Sequence, residues 1–106
     1  MSEVKVVGGQ PLETVTVVAT DDTVKRLPSA VIKQASDNRK TFNCLIAVEN
    51  APIRIANQVD PVPDVSGKQV EPGQDIKLNS VSQVVQFRYC NGIAGSDATI
   101  HIYPEV

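Results

Sequence analysis

Lys40-Thr41-Phe42-Asn43-Cys44-Leu45-Ile46-Ala47-Val48-Glu49 is the stretch on which the fold turns. Phe42, Cys44, Ile46 and Val48 alternate onto one face, the period of two expected of a strand with a core-facing side. Leu45 and Ala47 on the opposite face are apolar as well. That pattern reads as an internal strand covered on both sides. Glu49-Asn50-Ala51-Pro52 then turns the chain, and Ile53-Arg54-Ile55 resumes a strand with Arg54 outward.

Toward the N-terminus, Ser36-Asp37-Asn38-Arg39 is a polar turn. Ser29 to Gln34 is the one helix candidate, with Ser29 placed to cap it and Ala30, Val31 and Ala35 at usable spacings, although Val31-Ile32 suits a strand equally well. Val24 to Leu27 reads as a short strand stopped by Pro28. Asp21-Asp22 is a turn, since both carboxylates can bond nearby amides. Leu12 to Ala19 is a Val/Thr-rich strand. Glu3 to Val7 reads as an edge strand or loose arm, ended by Gly8-Gly9-Gln10-Pro11.

Toward the C-terminus, Asn57 to Gly73 is irregular, and Asp60-Pro61-Val62-Pro63-Asp64 is stiff and extended because each proline fixes its own φ and biases the residue before it. Glu71-Pro72-Gly73-Gln74 has the order of a type II turn. Asp75 to Leu78 is a short strand with Ile76 and Leu78 inward. Val81 to Cys90 reads as a strand with Val85, Phe87 and Tyr89 on one face, and Asn91 to Asp97 as a hairpin loop. In the last strand, Ala98, Ile100 and Ile102 alternate with Thr99, His101 and Tyr103. The expected fold is all-β: an antiparallel, jelly-roll-like sandwich of seven to eight short strands. It is one domain over residues 1–106, with an N-terminal arm over residues 1–11.

Composition narrows the function. Hydrophobic residues are 42% and charged residues 21% of the chain, which suits a folded globule. No apolar run approaches a bilayer span. Met1-Ser2-Glu3-Val4-Lys5 lacks the basic start and apolar run of an export signal, so synthesis in the cytoplasm is expected. The net charge is −2, and Lys25-Arg26 and Arg39-Lys40 are scattered pairs rather than a stripe. Nucleic acid is therefore not an expected partner.

No catalytic, cofactor-binding or metal constellation stands out. His101 is the only histidine, so a Ser-His or Cys-His dyad has a single base to draw on, with Cys90 as the nearest thiol in sequence. Asp60, Asp64 and Asp75 offer oxygen ligands for calcium but without an EF-hand spacing. Cys44 and Cys90 have neither CxxC nor zinc-ligand spacing and fall on different strand faces, one with Phe42, the other with Arg88, so two free packed thiols are expected. Tyr103 is the one aromatic placed to face solvent; Phe42, Phe87 and Tyr89 read as core.

The segment Cys44-Leu45-Ile46-Ala47-Val48-Glu49-Asn50-Ala51-Pro52-Ile53-Arg54 resembles a pattern found in small virion proteins of tailed bacteriophages. The similarity continues through Val70-Glu71-Pro72-Gly73-Gln74-Asp75-Ile76-Lys77-Leu78, then Val84 to Arg88 and Asp97 to Ile102. It spans residues 41–103. Where that group carries a glycine-rich loop, this chain has Asn57-Gln58-Val59-Asp60-Pro61-Val62-Pro63. The resemblance implies a β-sandwich that decorates or cements a capsid, bound to the major capsid protein as a homo-oligomer, with a trimer suited to local threefold sites, on a virion assembled in the host cytoplasm. It carries over no catalytic residues. The alternative is a tail- or fibre-associated adhesion module that binds host glycan or protein.

Overall fold

The computed structural model describes residues 12–106. The arm expected over residues 1–11 lies outside the described residues. Eight strands form two four-stranded antiparallel sheets that pack face to face. Their bounds are β1 Val15–Ala19, β2 Lys25–Arg26, β3 Asn43–Glu49, β4 Ile53–Asn57, β5 Lys68–Val70, β6 Asp75–Leu78, β7 Phe87–Asn91 and β8 Ala98–Glu105. Sheet A has the order β1-β8-β3-β6 and sheet B the order β2-β7-β4-β5.

The pairings β1 with β8, β2 with β7, β3 with β6 and β4 with β5 describe one long antiparallel ribbon rolled up on itself. Contacts of β3 with β8 and of β4 with β7 close the roll. This is the jelly-roll arrangement. Within it only β4 and β5, the tip of the ribbon, are consecutive strands that pair with each other.

The central strand behaves as its alternation requires. Phe42, Cys44, Ile46 and Val48 are buried, and Ile46 lies between Ile76 and Ile102 in the ladder. From sheet B, Ile53, Val70, Phe87 and Tyr89 complete the core. Among the described residues, no second layer lies over Leu45 and Ala47. Both are half-buried on an open face, where Tyr103 and Lys77 flank Leu45, and His101 and Asp75 flank Ala47, in the ladder.

Three other expectations are corrected. Val81–Gln86 is a helix, α2, and only Phe87–Asn91 is strand. Ser80 Oγ accepts from the Gln83 amide (3.2 Å) and Gln83 Oε1 accepts from the Asn79 amide (2.6 Å), a reciprocal cap that starts the turn. Val84 is accordingly the buried residue of this segment, and Val85 is exposed. The supposed hairpin over residues 91–97 instead carries the chain from sheet B to sheet A, because β8 pairs with β1 and β3. Finally, the irregular stretch ends in a strand, β5, that the sequence reading missed.

The helix candidate is real and longer than expected. Helix α1 spans Ser29–Asp37, with Val31 and Ala35 buried one turn apart. Pro28, not Ser29, occupies the N-cap, and no side chain caps it. Asn38 closes the far end through its backbone and through Nδ2 to the Gln34 carbonyl (3.0 Å). Helices α1 and α2 pack together where the chain crosses between sheets.

Cys44 and Cys90 are both buried and free. Burial pushes the Cys44 thiol up to about 11, so almost none of it is the reactive thiolate near neutral pH. Native protein is expected to resist thiol-labelling reagents at neutral pH, with both sites labelled once denaturant is added. Cys44→Ser should cost about 1–3 kcal/mol, because a hydroxyl would stand in an apolar site; a denaturant melt measures it.

One end of the sandwich is tied by a carboxylate. Asp21 and Asp22 take positive φ (60° and 56°) in the turn after β1. The Asp22 carboxylate accepts from Asn91 Nδ2 and from the Gly95 amide, joining that turn to the loop between β7 and β8. These bonds, the Asn91 bond foremost, hold Asp22 below its ordinary value. A carboxylate depressed in the folded state stabilises above its unfolded pKa and loses that contribution as pH falls through the folded one. Thermal melts over roughly pH 2 to 6 should therefore show a steeper acid loss in wild type than in Asp22→Asn.

Candidate docking surface

Sheet B does not present a bare outer face. The chain between β4 and β5, residues 58–67, folds back across it. It leaves β4 beside α2, where the Gln58 amide donates to the Gln86 carbonyl (3.1 Å). It reaches the opposite end of the sheet, where the Asp64 amide donates to the Gly92 carbonyl (2.9 Å). There, the Asp64 carboxylate accepts from the Ala94 amide (3.1 Å). The loop then doubles back through a tight turn, in which Val62 and Ser66 form a bridge and the Val65 and Ser66 amides both donate to the Val62 carbonyl (3.0 Å each).

Two arginines on the outer face of sheet B hold this loop. Arg54 donates through Nε to the Gly92 carbonyl (3.2 Å), through Nη1 to the Gly67 carbonyl (3.1 Å) and through Nη2 to Gln69 Oε1 (3.0 Å). Arg88 donates through Nη1 to the Gln58 carbonyl (2.8 Å) and to Asp60 Oδ1 (3.1 Å). A planar guanidinium with several fixed donors is suited to bridging carbonyls of separate segments. Pro61 is buried against Gly67, beside Arg54. Arg54 is the ladder partner of Cys90. Cys90, which alternation places on this outer face with Arg88, is fully buried.

With its backbone groups bonded to the two arginines, to the neighbouring loop and helix and within its own turn, the loop shows valines to solvent. Val59, Val62 and Val65 are 63%, 44% and 73% exposed, and Ile93, in the neighbouring loop, is 42% exposed. Scattered exposed apolar residues are ordinary on a protein surface. Here, four of the seven large hydrophobics exposed among the described residues gather on two loops joined by hydrogen bonds. The arginine bonds at Gln58, Asp60, Gly67 and Gly92 anchor the backbone on either side of them. A surface fixed in this way loses little conformational freedom when it docks. The stiffness of the Asp60 to Asp64 segment was legible from its prolines; its clamp of Arg54 and Arg88 was not, because neither arginine is near the loop tip in sequence.

The residues considered for chemistry fall elsewhere. His101 is on the outer face of sheet A, where Nε2 donates to the Glu49 carboxylate (2.7 Å) and Nδ1 meets the Thr16 hydroxyl (3.1 Å). Cys90 faces outward from the other sheet, so no Cys90–His101 dyad can form. Asp60 pairs with Arg88 and Asp64 with the Ala94 amide, on the side of sheet B. Asp75 sits in sheet A opposite Ala47. The three aspartates do not converge on one ion.

Fold and surface together define an eight-stranded jelly roll whose ribbon tip is clamped over one sheet as an apolar, preorganised surface. No protein-family model, no curated protein and no solved structure matches this chain.

Proposed function

We propose that this chain is a structural protein of a tailed-phage particle, a capsid decoration or cement protein that docks on the major capsid protein through Val59, Val62, Val65 and Ile93. The observation that carries this reading is the exposure of the three valines on a loop that Arg54 and Arg88 hold, with Ile93 beside them on the loop bonded to it. The sequence resemblance to small virion proteins supports the setting, and jelly rolls are a recurrent architecture of capsid-building domains. A cement protein needs a compact body and a small, preformed apolar contact. Repetition over a lattice, with copies grouped as trimers at threefold positions, multiplies a weak single contact into stable attachment.

Co-sedimentation with decoration-free capsids tests the proposal. Wild type is expected to pellet with the capsids at micromolar concentration. Burying a valine side chain contributes roughly 1.5–3 kcal/mol, so the double substitution Val62→Glu and Val65→Glu should weaken binding by about a hundredfold or more. Its melting temperature should stay near that of wild type, because both side chains are exposed. If wild type stays in the supernatant but binds host cells, the decoration reading fails and an adhesion module takes its place.

A further inference from the structure

We propose that the outer face of sheet A is a second, independent binding surface that takes a short, uncharged saccharide, with Tyr103 as its stacking platform. This goes beyond the docking reading and rests on a different sheet.

Tyr103 is 42% exposed on β8, an inner strand of this sheet. On one side of it lies a depression of about 490 Å³ whose polar rim is Asn43, Lys77, Asn79 and Glu105. On the other lies a second depression, of about 440 Å³, bordered by Glu49, His101 and Gly73. Tyr103 lines both, so together they make one trough across the sheet. Both are shallow and open, the second more so, so a ligand would lie across this surface rather than sink into it. In the ladder, Tyr103, Leu45 and Lys77 stand side by side on β8, β3 and β6. They span two strand spacings, about 10 Å, which matches the length of a disaccharide.

Chemistry selects the ligand. Side chains of Asn43, Lys77, Asn79, Tyr103 and Glu105 make no hydrogen bond to another described residue. They present amide and ammonium donors and carboxylate and amide acceptors around one aromatic ring. A sugar meets that set directly, because its hydroxyls both donate and accept while its apolar C–H face packs on a ring. Anionic ligands fit poorly: Glu49, Asp75 and Glu105 face the trough against the single ammonium of Lys77. An apolar protein surface fits poorly as well, since Leu45 and Ala47 are already half-buried.

The platform is also preorganised. His101, next but one to Tyr103 on β8, is fixed at both ring nitrogens by Thr16 and Glu49. Its ring lies 6.5 Å from that of Tyr103, centroid to centroid, tilted by 35°. Tyr103 is thus flanked by an aromatic neighbour held by two hydrogen bonds.

The test is a titration of the isotope-labelled full chain, followed by backbone amide NMR. The probes are soluble tetrasaccharides of β-linked glucose, β-linked N-acetylglucosamine, α-linked glucose and α-linked mannose. At least one should give saturable shifts concentrated on the trough strands, at residues 43–47, 75–79 and 99–105. Tyr103→Ala should weaken that binding by about tenfold or more, and Tyr103→Phe should retain it within a few-fold, since the ring and not the hydroxyl does the stacking. The Val62→Glu, Val65→Glu variant should bind the saccharide like wild type, which separates this surface from the docking loop. Absence of trough shifts with every probe, or binding indifferent to Tyr103→Ala, overturns the proposal.

Discussion

Phe87→Ala is expected to lower unfolding free energy by about 3–5 kcal/mol. Phe87 is 2% exposed and stands at the first residue of β7, where α2 ends and the chain enters sheet B. Its ring packs near that of Tyr89, with centroids 6.1 Å apart and a 36° tilt. Truncation removes one of the few aromatic side chains of a core built mainly from aliphatics, and it does so at the joint between two elements. For a domain of this size such a loss is a large share of total stability. Denaturant melts measure it, with Val85→Ala as the comparison. Val85 is exposed, so its truncation should change stability by about half a kcal/mol or less. Equal effects of the two substitutions would place the segment back in the single-strand register that the sequence suggests.

Gly67→Ala is expected to cost about 2–4 kcal/mol, although it adds one methyl group. Gly67 has φ +94°, a region that side chains rarely adopt, and an added Cβ would come within 2.7 Å of Pro61 Cβ and 3.0 Å of the Ile55 carbonyl oxygen. One neighbour is a proline ring and the other is backbone of a sheet strand, so neither can swing aside. Gly73, in the turn between β5 and β6, separates the two effects. Its φ is +92° but nothing lies within 4 Å of its added Cβ. Gly73→Ala should therefore show the backbone strain alone, about 1–2 kcal/mol. The excess at Gly67 reports how tightly Pro61 is seated under the loop, and Gly67→Ala should weaken capsid binding as well.

The architecture was legible where one physical signal dominated. Alternation in Phe42 to Val48 and in Ala98 to Ile102 marks strands that lie inside sheet A, each with one face in the core. Pro72-Gly73 marks its turn, closed by the Gln74 amide on the Glu71 carbonyl (3.0 Å). Legibility failed where two signals competed. Val81, Val84 and Val85 carry the β-branched bias of a strand, and this hid the helix start written in Ser80 and Gln83 three residues later. A six-residue loop such as 92–97 serves a hairpin or a crossing between sheets equally well; which one forms is decided by the distant pairing of β8 with β1.

The docking surface was half-legible. Its prolines announced a stiff loop, but the direction in which it folds depends on Arg54 and Arg88, which are set by the register of β4 on β7. Only that register puts both guanidinium groups on one outer face, under one loop. The trough on sheet A was visible as Tyr103 and His101 facing outward, while its rim from Lys77 and Asn79 required the pairing of β6 with β3.

Electron cryo-microscopy of capsids decorated with the purified chain, at side-chain resolution, shows whether the clamped valine loop is the face this protein gives to a larger particle. Val62 and Val65 are expected to be buried against capsid subunits, with Arg54 still bound to the Gly67 and Gly92 carbonyls behind them and Tyr103 open to solvent. Particles that carry the protein with those valines in solvent and another face against the capsid would contradict the proposed docking.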